Sequence, residues 1–231
     1  MALGVPSLVI DPASPEYAQH FTTDVNDALG RLTIAAEASI ATVSDSVTAL
    51  TATVATLVSN GGWKKITAQT ASGASTVDFS SGIDSTYDCY MIELVNVVPG
   101  TDATDLYVRI STDGGATFKS GGADYSWHLL ASTDVPSNAA HGTTAAAQAD
   151  IAEAVGNAGG KLLNGTVQLF RPSAAVLNSH HFKTAYISSG NNAFTANGAF
   201  KYNTATAVNG IRFLMSGGTI SGTFTLYGLT K

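Results

Sequence analysis

The stretch IATVSDSVTALTATVATL, residues 40–57, sets Ile40, Val43, Val47, Leu50, Val54 and Leu57 at alternating spacings of three and four. An apolar residue every 3.5 positions keeps one stripe facing partner helices, so this is the seam of a coiled coil. The flanking positions are Ser39, Ser44, Ser46, Thr51, Thr53 and Val58, and Asp45 is the only charge between Ile40 and Asn60. No ion pairs therefore choose the partner. Ser and Thr are poor helix formers, and such a helix depends on assembly more than on propensity. β-Branched residues at Ile40, Val43, Val47 and Val54 favour three strands over two, which predicts a parallel homotrimer. The alternative is one long helix packed on its own domain, but the stripe is narrow for a core-facing helix.

Working towards the N-terminus, Tyr17, Phe21, Val25, Leu29, Leu32 and Ala36 continue the apolar stripe to Ile40, with runs of four that unwind the supercoil locally. Ser14-Pro15-Glu16 is a helix start: an N-cap, a proline in the first turn and an acid near the positive end of the dipole. Asn60-Gly61-Gly62 is the stop. The expected rod, 15–60, measures roughly 70 Å at 1.5 Å per residue. Ahead of it, residues 1–14 hold Leu3, Val5, Leu8, Val9 and Ile10 between Pro6 and Pro12. Proline keeps them out of the helix, so they form an extended arm that either docks as an anchor or stays a mobile terminus.

Past Gly62 the pattern changes to short runs of Val, Thr, Tyr and Phe broken by Gly, Ser, Asn and Asp, the pattern of an antiparallel β-sandwich. Strands are expected near 63–69, 75–80, 87–97, 105–112, 116–118, 124–130, 148–154, 162–171, 179–187, 193–202, 207–215 and 220–228. The Ala-rich stretch 144–155 could also be helical by propensity. No period of 20–50 residues recurs, which excludes propellers and solenoids. The predicted domains are thus an arm, 1–14, a rod, 15–60, and a β tip, 61–231.

Composition narrows the function. Hydrophobic residues make up 45% and charged residues 12% of the 231, with 23 glycines, so the chain folds. The net charge of −6 argues against nucleic acid or an anionic membrane as partner. No run reaches the 18 or so apolar residues of a membrane span, and Met1–Pro6 lacks the basic start of a signal peptide. Cys89, the single cysteine, excludes disulfides within the chain and reads as a small core residue.

Several motifs invite a chemical reading. Ser111-Thr112-Asp113-Gly114-Gly115-Ala116-Thr117-Phe118 matches the Asp-box hairpin of sialidases, in which Asp caps the turn, Gly takes positive φ and the aromatic tucks beneath. One copy without a propeller period predicts a stable hairpin and not a glycosidase. His180 and His181 point to opposite faces of a strand and cannot chelate as a pair; they read as polar surface residues, although three copies across a trimer axis could hold a metal. The acids are scattered, no nucleophile–base set exists, and there is no phosphate-binding Gly loop, so neither catalysis nor a cofactor is expected. Tyr125 and Trp127 alternate with His128, an aromatic row that either stacks sugars or faces the core. Ala131–Thr144, with His141, is expected to be a long loop of the kind that carries recognition. Tyr125, Trp127, His128 and His141 are accordingly the candidate receptor-binding residues.

In this arrangement the chain resembles bacteriophage fibre and spike proteins. The segments that carry the resemblance are Val77-Asp78-Phe79 leading to Gly82-Ile83-Asp84-Ser85-Thr86-Tyr87, Val208-Asn209-Gly210-Ile211-Arg212-Phe213, and Gly222-Thr223-Phe224-Thr225-Leu226-Tyr227-Gly228-Leu229. The resemblance implies a jelly-roll-like tip on a trimeric coiled coil, assembly in the host cytoplasm and a place in the virion. It also implies attachment to other virion proteins (capsid, portal, tail or baseplate) by the arm, and a tip offered to a host-surface glycan or protein. The alternative is a purely structural virion component, a capsid decoration or connector.

Overall fold

The computed structural model describes residues 15–59, 62–134 and 138–230. The chain divides into two compact units, Met1–Ser59 and Asn60–Lys231. The arm, with Leu3, Val5, Leu8, Val9 and Ile10, lies outside the described residues.

The first unit contains one helix, α1 (Pro15–Ser59). Its many hydroxyls turn inward on the helix itself: Thr42, Ser46 and Thr53, among others, donate to the carbonyl four residues back at 2.9 Å. These hydroxyls are thereby satisfied within the helix, while the apolar stripe stays uncovered in the single chain. Ile40 is 68% exposed, Val43 62%, Val47 57%, Leu50 63% and Val54 48%. The side chain of Leu57 lies outside the described residues.

The second unit is an antiparallel β-sandwich of twelve strands. In chain order they are β1 (Trp63–Ala74), β2 (Val77–Phe79), β3 (Cys89–Pro99), β4 (Thr104–Ser111), β5 (Tyr125–Thr133), β6 (Asn138–Ala146), β7 (Ala149–Val155), β8 (Leu163–Phe170), β9 (His180–Ile187), β10 (Ala193–Tyr202), β11 (Gly210–Met215) and β12 (Ile220–Leu229). One sheet runs β1-β12-β3-β8-β9-β10-β5-β6 and the other β2-β11-β4-β7. The strands β1-β12-β3-β8 and β2-β11-β4-β7 form a frame of two four-stranded layers. Between β4 and β7 the chain adds the hairpin β5–β6, and between β8 and β11 it adds β9–β10; these four strands widen one layer.

Alternation decides the layering. Along β3, Tyr90, Ile92 and Leu94 are buried while Met91, Glu93 and Val95 are half-buried; along β9, Phe182, Thr184 and Tyr186 are buried and Lys183 and Ala185 exposed. The inward residues meet between the sheets, as where Phe213 of β11 packs at 5.2 Å between ring centroids against Phe224 of β12. Hydrogen bonds cross the same gap. Thr184 Oγ1 donates to the Ile151 carbonyl at 2.9 Å, and the Tyr186 hydroxyl accepts the Glu153 N–H at 3.2 Å.

Two expected elements are corrected. Residues 116–118 form no strand: Ser111 and Asp113 hold a turn instead, with the Thr117 N–H and hydroxyl donating to the Asp113 carboxylate and Gly114 and Gly115 at φ of 69° and 84°. The Asp113 carboxyl is held well below the usual carboxylate range by the hydroxyl of Thr117 first and that of Ser111 next. Ala131–Thr144 is not a long loop, because most of it lies in β5 and β6, joined register for register from Leu129↔His141 to Ser132↔Asn138. Its small Ala, Gly and Thr residues hid an edge strand. The stretch read as either strand or helix, 144–155, contains β7.

Candidate binding surface

The widened layer has an outer face whose geometry follows from register. Tyr227 pairs with Met91, Met91 with Gln168, Gln168 with His181, His181 with Ala199, Ala199 with His128 and His128 with Gly142. One lateral row therefore crosses seven strands on a single face. Next to it runs Thr225, Glu93, Thr166, Lys183, Asn197, Leu130 and Ala140. Around β12 and β3 this face carries Tyr227, Met91 and Val95, with Glu93 accepting the Tyr227 hydroxyl at 3.1 Å. Across β9, β10 and β5 it turns basic.

Two shallow depressions open on the β5–β10 part. The first, about 480 Å³, has Ala199 and Gly142 in its lining with His128, Lys201, Ser126 and Ser179. It exists because two of the smallest residues, Ala199 and Gly142, flank His128 on either side in its row. Its rim is held by Asn203, which accepts the Ser126 hydroxyl at 2.7 Å and donates to the Ala123 carbonyl at 2.8 Å. The second, about 530 Å³, lies at the other ends of the same strands over Ala185 and Ala193, with Leu162, Ile187 and Asp134 in its lining.

The four residues expected to bind a receptor part company. Tyr125 is fully buried; its hydroxyl accepts the Ile110 N–H at 2.8 Å and donates to the Lys119 carbonyl at 3.0 Å, tying β5 to the opposite sheet. Burial and that internal use remove it from any ligand surface. Trp127 is half-buried, packs against the core and touches the first depression. His128 is exposed on its rim. His141 faces the other way, from β6 towards β7, with Nδ1 2.6 Å from Glu153 Oε1. The aromatic row thus serves mainly the core, and the outward position between its members, His128, is the exposed one. Lys183 and Lys201, which sequence reasoning passed over, and His181, which it read as a polar surface residue, join His128. Their period-two placement in strands 179–187 and 193–202 was the available signal, but only pairing brings those strands beside β5.

His180 is corrected as well. It is 2% exposed, accepts the Phe170 N–H at Nδ1 and meets the Phe200 ring edge-on at 5.3 Å between centroids. Burial pushes its pKa down to about 4. His181 does face the opposite way, exposed, as the alternation requires. Cys89 is half-buried, not a core residue, and burial raises its thiol pKa.

The acids are less scattered in space than in sequence. Asp150 of β7 is 7% exposed, and burial first, then Asp105 and Glu153, pushes its pKa up to about 8. Its Oδ1 finds no hydrogen-bond partner among the described residues. None of the depressions above reaches it, and no group of three or more His, Cys, Asp or Glu among the described residues could hold a metal ion.

No family model and no curated protein matches this chain. Among solved structures, the crystal structure of the Caenorhabditis elegans galectin LEC-6 aligns with a TM-score of 0.31 at 8% identity, over 69% of this chain and 93% of that one. A likeness of that size carries no argument about binding.

Proposed function

We propose that the chain is a trimeric fibre or spike of a bacteriophage virion, joined to the particle through residues 1–14 and offering its β-sandwich to the host surface. The observation that carries this reading is α1: a 45-residue helix, in a unit separate from the sandwich, whose heptad stripe stands exposed from Ile40 to Val54 in the single chain. Two further copies in parallel cover that stripe with no charged residue to bury. The strand order β1-β12-β3-β8 over β2-β11-β4-β7 supports the jelly-roll part of the reading, because that alternation between layers is what two nested Greek keys produce. Apolar side chains in the arm, repeated three times, supply avidity at the particle without new contacts.

Light scattering on the purified chain should give the mass of three copies, and a monomer mass would end the proposal. Val47→Asp should dissociate the rod, since three carboxylates would meet in one apolar layer. The purified chain should block phage adsorption. Particles that lack the sandwich yet adsorb normally would assign it a purely structural role instead. A variant beginning at Ser14 should still trimerise but fail to enter particles.

A further inference from the structure

The four strands that widen the layer, β5, β6, β9 and β10, are additions to the two-layer frame. Their inward residues serve the core; the charged side chains at their outward positions are two lysines, Lys183 and Lys201. His181 and Lys183 on β9, Lys201 on β10 and His128 on β5 all take outward positions, alternating with the buried Phe182, Phe200 and Leu129. Register sets His181 and His128 on either side of Ala199, two strand spacings or about 10 Å apart with a single methyl group between them. Lys201 pairs with Ser126, and Lys183 with Asn197, one row to either side.

No carboxylate occupies an outward position within these four strands. Asp124 and Asp134 lie just beyond the ends of β5, and the Asp124 carboxylate is engaged by the Gly121 N–H at 2.6 Å. Glu93 lies two strands from Lys183, across Thr166, and is taken by Tyr227. Among the described residues neither Lys183 nor Lys201 is in an ion pair. Two lysines outside any ion pair, on a face without carboxylates and a chain of net charge −6, make a local reversal of sign, and such a patch favours anions.

We propose that the outward face of β9, β10 and β5 binds an anionic polysaccharide, with Lys201, Lys183, His128 and His181 meeting its acidic groups. Ser126 and Ser179 line the depression beside Lys201 and His128 and suit sugar hydroxyls. Two lysines and two histidines are too few for the dense phosphates of a duplex. Leu130, half exposed beside Asn197, is a single apolar side chain and too little to enter a membrane. The identity of the partner as a host-surface component rests on the receptor reading above; the site itself does not.

The test is titration of the full-length chain with fluorescent dextran sulfate, polygalacturonate and neutral dextran of matched length. Both anionic polymers should bind at least tenfold more tightly than dextran. The double substitution Lys183→Glu and Lys201→Glu, at positions that leave the core untouched, should weaken that binding at least tenfold with an unchanged thermal midpoint. Lys64→Glu on β1, at the far edge of the sheet, should change nothing. Equal binding of neutral dextran, an equal loss with Lys64→Glu, or tighter binding of duplex DNA or anionic vesicles would each overturn the proposal. A chain that blocks phage adsorption but binds neither anionic polymer would overturn it and leave the receptor reading standing. Polymer binding lost with the two lysines, in a chain that does not block adsorption, would keep the site and remove the receptor role.

Discussion

His180 and Asp150 are buried titratable side chains with opposite pH demands. The folded His180 has a pKa of about 4 against 6.5 for the free side chain, so its neutral form is the one that fits. Its contribution is present above pH 6.5 and is lost as pH falls towards 4, a change of up to about 3 kcal/mol. Asp150 is raised from 3.8 to about 8, so its neutral form is favoured too, but its contribution is present below pH 3.8 and is lost as pH rises through 8. Between pH 4 and 6.5 the two oppose each other; from 6.5 to 8 only Asp150 acts. Urea unfolding should therefore show His180→Gln flattening the acid side of the stability profile. Asp150→Asn, whose amide cannot ionise, should add at least about 1 kcal/mol at pH 8 and much less at pH 4. The same gain at both pH values would refute the assignment.

Elements in the sandwich meet at points where only glycine fits. Gly228 on β12 lies under the ring of Tyr87, and a Cβ there would stand 2.3 Å from a ring carbon. Tyr87 in turn meets Tyr90 edge-on at 5.6 Å, so the ring cannot simply swing away. Gly228→Ala should cost roughly 1–3 kcal/mol in unfolding free energy. Combined with Tyr87→Ala the losses should be clearly non-additive, because the smaller residue frees the space. Gly115 combines both constraints, a φ of 84° and a Cβ position 2.3 Å from Ser80 Cβ, so Gly115→Ala should lower the thermal midpoint as well. Beside that turn Arg212 pairs with Asp78 through two hydrogen bonds and lies over the Phe118 ring at 4.0 Å. The aromatic of the Asp-box motif is thus held by a cation from a neighbouring strand as well as by its own turn.

For the whole molecule, two units imply two kinds of stability. The sandwich has a continuous core from Val77 to Leu226, built within one chain. The helix exposes its apolar stripe, so its order depends on partner copies under the proposed assembly. Heating monitored by circular dichroism should then show a helical transition whose midpoint rises with protein concentration and a β transition whose midpoint does not. A helical transition independent of concentration would count against association through this stripe.

The amino-acid sequence by itself determined the helix and most of the strands. The Ser14-Pro15 start, the Asn60-Gly61-Gly62 stop and the seam at 3.5-residue spacing are local signals, and α1 runs from Pro15 to Ser59. Alternation of Tyr90, Ile92 and Leu94, or of Phe224 and Leu226, is equally local and marks strand and inward face together. β6 escaped notice because Ala, Gly and Thr at an edge carry no contrast between faces. His180 was misjudged for a related reason: alternation says that His180 and His181 face opposite ways, but not which way is in. The basic surface was beyond sequence reasoning altogether. His128, His181, Lys183 and Lys201 are spread over more than 70 positions, and only the pairing of β5 with β10 and of β10 with β9 sets them on one face. Strand order is a choice among long-range pairings whose free energies differ through packing of the whole core. No single segment contains that information, so only the tertiary structure decides it.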